Sequence, residues 1–309
     1  MAFDPNGKVV AILGATGVVG AQMMQCLEER NFPIKELVLL ASVRSAGKTI
    51  DFAGQQIAIR EATPEAFEGV DIVLGAAGDE QAKELLPEAV KCGCVCVDNS
   101  HAFRMDPNVP LVIPEINAED IKNHNGIISN PNCATIIGLV PLYPLHKAAG
   151  AKRIIASTYQ AASGAGLPGL TSLKNQMADV VAGREVTETA PFAYQLAVNL
   201  IPQIGGFDEV GYTSEEMKMQ NEGRKIMHLP DLRVNCTCVR VPTMRSHSES
   251  ITVEFEQPLS PDEARAILEE APGVKVVDNP AELQYPMPLD TSDQDLIYVG
   301  RIREDLSAD

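Results

Sequence analysis

Residues 8–20 read KVVAILGATGVVG: an apolar, β-branched run from Val9 to Leu13 feeds a turn holding Gly14, Gly17 and Gly20, after which Val19, Met23, Cys26 and Leu27 recur at helical spacing. That order specifies a strand, a tight turn and a helix. Glycine in such a turn lets the main chain approach a pyrophosphate, and the helix N-terminus behind it offers free N–H groups and partial positive charge. A glycine triplet alone could be a structural turn, but the strand before it and the helix after it favour a dinucleotide.

Working outward, runs Leu37 to Ala41, Asp71 to Gly75 and Cys94 to Asp98 read as further strands. Between the last two lies a helical pattern on Ala82, Leu85, Leu86, Ala89 and Val90, which Pro87 is expected to break or kink. Strands alternating with helices, apolar along their whole length, imply a parallel sheet covered on both faces. After about residue 150 the pattern changes. Ile251, Val253 and Phe255 alternate with Thr252, Glu254 and Glu256, the mark of a strand with one wet face. Ser260 and Glu263, with Pro261 between them, and Thr213 and Glu216 form two capping boxes, the latter opening a helix to about Met227. The expected fold is a Rossmann-type α/β domain over residues 1–132, followed by an α+β domain with a largely antiparallel or mixed sheet over 133–309.

The 309 residues suffice for about two domains without disulfide or metal staples. With 42 acidic against 25 basic side chains the net charge is −17, and no basic tract relieves it, so nucleic acid and anionic membrane surfaces are disfavoured as partners. No run approaches the roughly 18 apolar residues of a membrane span, and the opening MAFDPNGKVV lacks a signal-peptide pattern, so a cytoplasmic location is expected. Seven cysteines, with Cys92, Cys94 and Cys96 at one-residue gaps, suggest reduced thiols and no metal centre.

The second strand runs into Ala41-Ser42-Val43-Arg44-Ser45, without the acid that would grip a ribose 2′-hydroxyl. Arg44, helped by Ser42 and Ser45, suits a 2′-phosphate, which points to NADP rather than NAD; the plainer alternative is a solvated loop charge. Further on, Ser129-Asn130-Pro131-Asn132-Cys133-Ala134-Thr135 follows a short apolar strand, with Asn132 a good N-cap for the run Ile136, Ile137, Leu139, Val140. Cys133 thus falls at a helix N-terminus, where the dipole stabilises the nucleophilic thiolate. Cys26, Cys92, Cys94, Cys96, Cys236 and Cys238 are read as inert packing residues.

Five blocks, GATGVVG, SNPNCAT, TYQAASGAG (Thr158 to Gly166), GYTSEEMKM (Gly211 to Met219) and CVRVPTMRSHSES (Cys238 to Ser250), stand in the order and spacing of aspartate-β-semialdehyde dehydrogenases. The chain resembles that family over nearly its whole length, closest to the branch typical of Gram-positive bacteria. The resemblance implies reduction of L-aspartyl-4-phosphate by NADPH through a Cys133 thioester, in lysine, methionine and threonine biosynthesis, by a homodimer. It implies that Gln160 orients the acyl group and that His247, with near-neutral titration, is acid and base. It implies that Arg240 binds the substrate carboxylate, Glu215 its ammonium, and Lys218 and Arg104 the phosphate. Gly14, Ala15, Thr16, Gly17, Val18, Val19, Ser42, Arg44, Ser45, Ser163 and Gly164 would line the cofactor.

Without the family, Glu215 and Lys218 would be read as an exposed (i, i+3) ion pair, His247 as an ordinary surface or core histidine and Gln160 as an ordinary polar strand residue. N-acetyl-γ-glutamyl-phosphate reductase is the nearest rival, yet its cysteine follows a glycine where Asn132 stands here, and its acetylated substrate has no ammonium for Glu215. Glyceraldehyde-3-phosphate dehydrogenase follows its cysteine with paired threonines. A non-catalytic NADP-binding paralogue is a third possibility, against which the joint presence of Cys133, Gln160, Arg240 and His247 argues. Family members continue past the strand at Leu296 to Ile302 into a further strand and a return helix, so a truncated or shortened form is expected.

Overall fold

The computed structural model describes residues 3–307. The chain forms two compact units, one running to Val112 and resuming over Asn117–Pro131, the other made of Ile113–Ile116 and the described residues from Asn132 on.

In the first unit the elements are β1 (Lys8–Leu13), α1 (Val18–Glu29), β2 (Ile34–Ala41), β3 (Thr49–Phe52), β4 (Gln55–Glu61), β5 (Ile72–Gly75), α2 (Asp79–Lys91) and β6 (Val95–Asp98). The single turn α3 (Pro114–Asn117), most of which belongs to the second unit, precedes β7 (Ile127–Ser129), the last strand of the first. The sheet order is β3-β4-β2-β1-β5-β6-β7, parallel throughout except for the β3–β4 edge hairpin. Successive side chains of β1 go to opposite faces: Val10 and Ile12 join Met24, Leu27 and Leu39, while Ala11 and Leu13 join Leu40, Val73 and Leu86. Burial on both faces is what the unbroken apolar strands require.

Helix α2 runs unbroken through Pro87, contrary to the expected break. Leu85, Leu86 and Ala89 are buried on its inner face, and this anchorage on both sides of the proline offsets the one ladder bond it cannot make.

The second unit contains α4 (Cys133–Ala149), β8 (Ala151–Gln160), α5 (Gly166–Val181), α6 (Ser214–Ile226), β9 (Arg233–Arg240), β10 (Ser248–Phe255), α7 (Pro261–Glu269), β11 (Val274–Val276), α8 (Pro288–Thr291) and β12 (Ile297–Val299). Its main sheet is mixed: β8 lies between antiparallel β10 and parallel β9. β11 and β12 form a separate parallel pair. Both capping boxes are present, with Thr213 and Ser260 each accepting from the N–H three residues on and Glu216 and Glu263 returning the bond. Among the described residues no helix is long and apolar enough to cross a membrane.

Candidate active site

The mixed sheet brings together side chains that are far apart in sequence. Gln160 and Arg240 are register partners at the C-terminal ends of parallel β8 and β9, and His247 stands one residue before β10, which pairs Ser248 with Tyr159. All three therefore emerge at one end of the sheet.

Cys133 is exposed and is the first residue of α4. Asn132, in extended geometry at φ −62° and ψ 144°, caps this helix by accepting from the Thr135 N–H at 3.2 Å. Its Nδ2 donates to Oε1 of Glu215 at 2.9 Å, and Nε2 of Gln160 donates to the same oxygen at 3.1 Å. The other Gln160 amide atom, Oε1, accepts from Thr158 at 2.9 Å, which fixes the amide's orientation. Glu215 Oε2 accepts from Lys218 at 2.7 Å. That ion pair is largely buried, with side chains 9 % and 22 % exposed, and so is not the solvated pair that spacing alone suggests. Burial pushes the Glu215 carboxyl up, but Lys218 and the two amides outweigh it and hold the group below the usual carboxylate range.

Arg240 is buried, and its Nη1 donates to the Ala161 carbonyl at 2.7 Å. Desolvation lowers its pKa, opposed by Glu215 and by Cys133, whose thiol lies within electrostatic reach of the guanidinium. The Ala161 N–H donates to Nδ1 of His247 at 3.0 Å. Burial, with the Arg240 charge, drives the His247 pKa down to about 4, so the near-neutral titration expected from the sequence is not found here. Ser163 and Gly164 lie in the short 3₁₀ turn Ala162–Ala165, which Thr243 and Met244 pin by accepting the N–H groups of Ala162 and Ser163.

Two further expectations about cysteines meet the structure differently. Cys94 and Cys96 are buried, and desolvation first of all raises their pKa values to about 11 and about 12, so they are inert as expected. Cys92 is exposed and is not a packing residue, because it occupies the C-cap of α2.

The remaining expected residues lie in the first unit. Arg104 is buried, and its Nη2 donates to the Asn99 carbonyl at 2.9 Å. Gly17 is the N-cap of α1 and supplies no side-chain cap, and the first turn carries no acid. Gly14 has φ +92°, and a Cβ there would meet the Ala76 carbonyl at 2.6 Å; a Cβ on Gly20 would meet the Gly14 carbonyl at 2.5 Å. Ala15 and Thr16 complete this tight turn, and Val18 and Val19 are the first residues of α1. A bare helix N-terminus behind an all-main-chain surface fits a pyrophosphate. Ser42, Arg44 and Ser45 lie in the turn after β2, with Ser42 and Arg44 exposed. Among the described residues no cluster of metal-ligating side chains occurs.

The chain is similar to known proteins over nearly its whole length. Residues 9–124 match the semialdehyde dehydrogenase NAD binding domain, and residues 142–309 match the semialdehyde dehydrogenase dimerisation domain. The aspartate-semialdehyde dehydrogenase of Aquifex aeolicus is 50% identical over 302 residues, covering 97% of this chain and 89% of that protein. The crystal structure of aspartate semialdehyde dehydrogenase II from Vibrio cholerae complexed with ASA superposes with a TM-score of 0.94 at 41% identity, covering 98% of this chain and 90% of that one. The Candida albicans enzyme with NADP superposes with a TM-score of 0.75 at 25% identity, over 98% and 91% of the two chains. With a near-full-length relative at half identity, and both domain families matched in order, the chain belongs to the aspartate-semialdehyde dehydrogenase family of nicotinamide-dependent oxidoreductases.

Proposed function

We propose that the protein reduces L-aspartyl-4-phosphate to L-aspartate-4-semialdehyde and phosphate with NADPH, as a cytoplasmic homodimer in the biosynthesis of lysine, methionine and threonine. The observation that carries this reading is the meeting of Asn132 and Gln160 on one oxygen of Glu215, beside an exposed cysteine at a helix N-terminus.

In this reading Cys133 Sγ attacks the acyl carbon, a C–S bond forms, and the C–O bond to phosphate breaks with its electron pair leaving on phosphate. Gln160, held by Thr158 and Glu215, orients the acyl group. Arg240 binds the α-carboxylate through guanidinium donors other than the one spent on Ala161. Glu215, kept ionised by its neighbours, receives the α-ammonium, and Lys218 and Arg104 receive the phosphate. NADPH, when bound, would supply the hydride that reduces the thioester, after which the C–S bond breaks with its electron pair returning to Cys133 Sγ and the aldehyde leaves. Gly14 to Val19 take its pyrophosphate and Ser42, Arg44 and Ser45 its 2′-phosphate, with Ser163 and Gly164 on the nicotinamide side. His247 is neutral with its proton on Nε2, because Nδ1 is occupied as an acceptor, so it acts toward the developing oxyanion as a donor.

The assay is phosphate-dependent reduction of NADP by L-aspartate-4-semialdehyde, with N-acetylglutamate semialdehyde as competitor. Strong preference for the former, and dependence on phosphate, are expected. Equal use of both aldehydes, or turnover indifferent to phosphate, overturns the assignment.

A further inference from the structure

The reaction just described does not use Glu222, yet this side chain is 1 % exposed and its Oε2 accepts from the main-chain N–H of Asn132 at 2.7 Å. Asn132 is the residue immediately before the thiol. Its N–H goes to Glu222, its Nδ2 to Glu215, and its Oδ1 to the Thr135 N–H. Glu215 and Glu222 are seven residues apart and so share one face of α6, two turns from each other. Met219 lies between them on that face, buried, and its Cε would be 3.1 Å from a Cβ placed on Gly138 of α4. The same helix is indexed to β9, because Oε1 of Glu216 accepts from the Cys238 N–H at 3.0 Å, two residues before Arg240.

We infer that Glu222 is a positioning residue for Cys133: through Asn132 it fixes the entry of the chain into α4, and α6 thereby sets the thiol against the guanidinium carried by β9. The inference rests on the reading of Cys133 as nucleophile. The N–H of an N-cap residue has no acceptor within its own helix, and a buried one needs a partner from elsewhere. Without one, the buried N–H is left unsatisfied although the side chain keeps its bonds to Glu215 and Thr135, and the backbone entering α4 shifts to find a partner, carrying the first residue of α4 with it. Choosing a carboxylate as that partner has a cost. Its charge opposes the thiolate that the α4 dipole favours, so Glu222 gives up thiol acidity for geometry.

The test compares Glu222→Gln, which keeps an acceptor and loses the charge, with Glu222→Ala, which loses both. The measurements are the pH dependence of iodoacetamide alkylation of Cys133, read by mass spectrometry, and kcat and KM for the semialdehyde. For Glu222→Gln we expect kcat within about threefold of wild type and an alkylation midpoint lower by roughly half a pH unit or more. For Glu222→Ala we expect kcat to fall about tenfold or more with KM within about threefold, and a midpoint above that of the Gln variant. A Gln variant that loses as much kcat as the Ala variant, or wild-type midpoints in both, overturns the inference. Should the Ala variant fail to fold, the Gln midpoint decides, and an unmoved midpoint overturns it. Turnover retained by Cys133→Ser would instead sink the nucleophile reading, and the alkylation profiles, which need no turnover, tell the two failures apart.

Discussion

Arg240 and His247 hold Ala161 from opposite sides, the guanidinium on its carbonyl at 2.7 Å and the imidazole Nδ1 on its N–H at 3.0 Å. The cation and the ring are thus kept as neighbours, and the Arg240 charge adds to burial in lowering the histidine's pKa. With a folded pKa of about 4 against an ordinary 6.5, the ring resists protonation in the native state. As pH falls from about 6.5 toward 4 the unfolded chain takes up this proton first, so native stability is lost across that window, by up to about 3 kcal/mol, and is unaffected above it. Urea unfolding at pH 7 and pH 4.5 should show a larger acid loss in the wild type than in His247→Asn. Equal losses would contradict the buried neutral ring, as would an imidazole NMR midpoint near 6.5.

Cys133 and Cys92 are both exposed, but one begins a helix and the other ends one. The dipole stabilises a thiolate at the first and disfavours it at the second. Limiting alkylating reagent at neutral pH should therefore modify Cys133 first, with substrate and phosphate protecting it, and Cys133→Ser should lose turnover while still binding dinucleotide. Peptide mapping that finds Cys92 labelled ahead of Cys133 would refute the dipole argument.

Gly164 has no room for a side chain. A Cβ there would lie 2.8 Å from Nη1 of Arg240 and 3.3 Å from Cε1 and Nε2 of His247. Gly164→Ala should push the guanidinium away from the ring, and we expect kcat/KM for the semialdehyde to fall about tenfold or more with the dinucleotide Kd little changed. A variant with weakened dinucleotide binding and intact semialdehyde kinetics would show that Gly164 serves the cofactor alone.

Most of the first unit was legible because its signals are local: β1, its glycine turn and α1 lie within a continuous stretch of sequence, and the central strands are apolar along their length, whereas the largely exposed β3–β4 hairpin carries no such run and was not read. Cys133 was legible for the same reason, since Asn132 and the apolar run behind it mark a helix start. The sheet partnership of Gln160 with Arg240 was not, because a register between strands eighty residues apart leaves no periodic trace. The His247 titration escaped for a related reason, since its cause is a charge brought in by another strand. Glu222 left one readable sign, its seven-residue spacing from Glu215, but nothing in the sequence says that the shared face meets the main chain of Asn132.

The alignment of β9, β8 and β10 also gives depth below the end of the sheet that carries Gln160 and Arg240 a count. Gln160 and Arg240 form the outermost row, with His247 alongside; Cys238, Thr158 and Glu249 form the next; Cys236, Ala156 and Ile251 the third. In the second row both Glu249 carboxyl oxygens are buried without a hydrogen-bond partner among the described residues, and desolvation first of all raises the group's pKa well above the usual range. The polar layer at this end of the sheet is therefore two rows deep, and its charge lies in the outer one. In the second row the Glu249 carboxyl keeps its proton, so a neutral group separates the Arg240 charge from the apolar third row, and substitutions should pass from altered chemistry to altered packing within two steps along a strand.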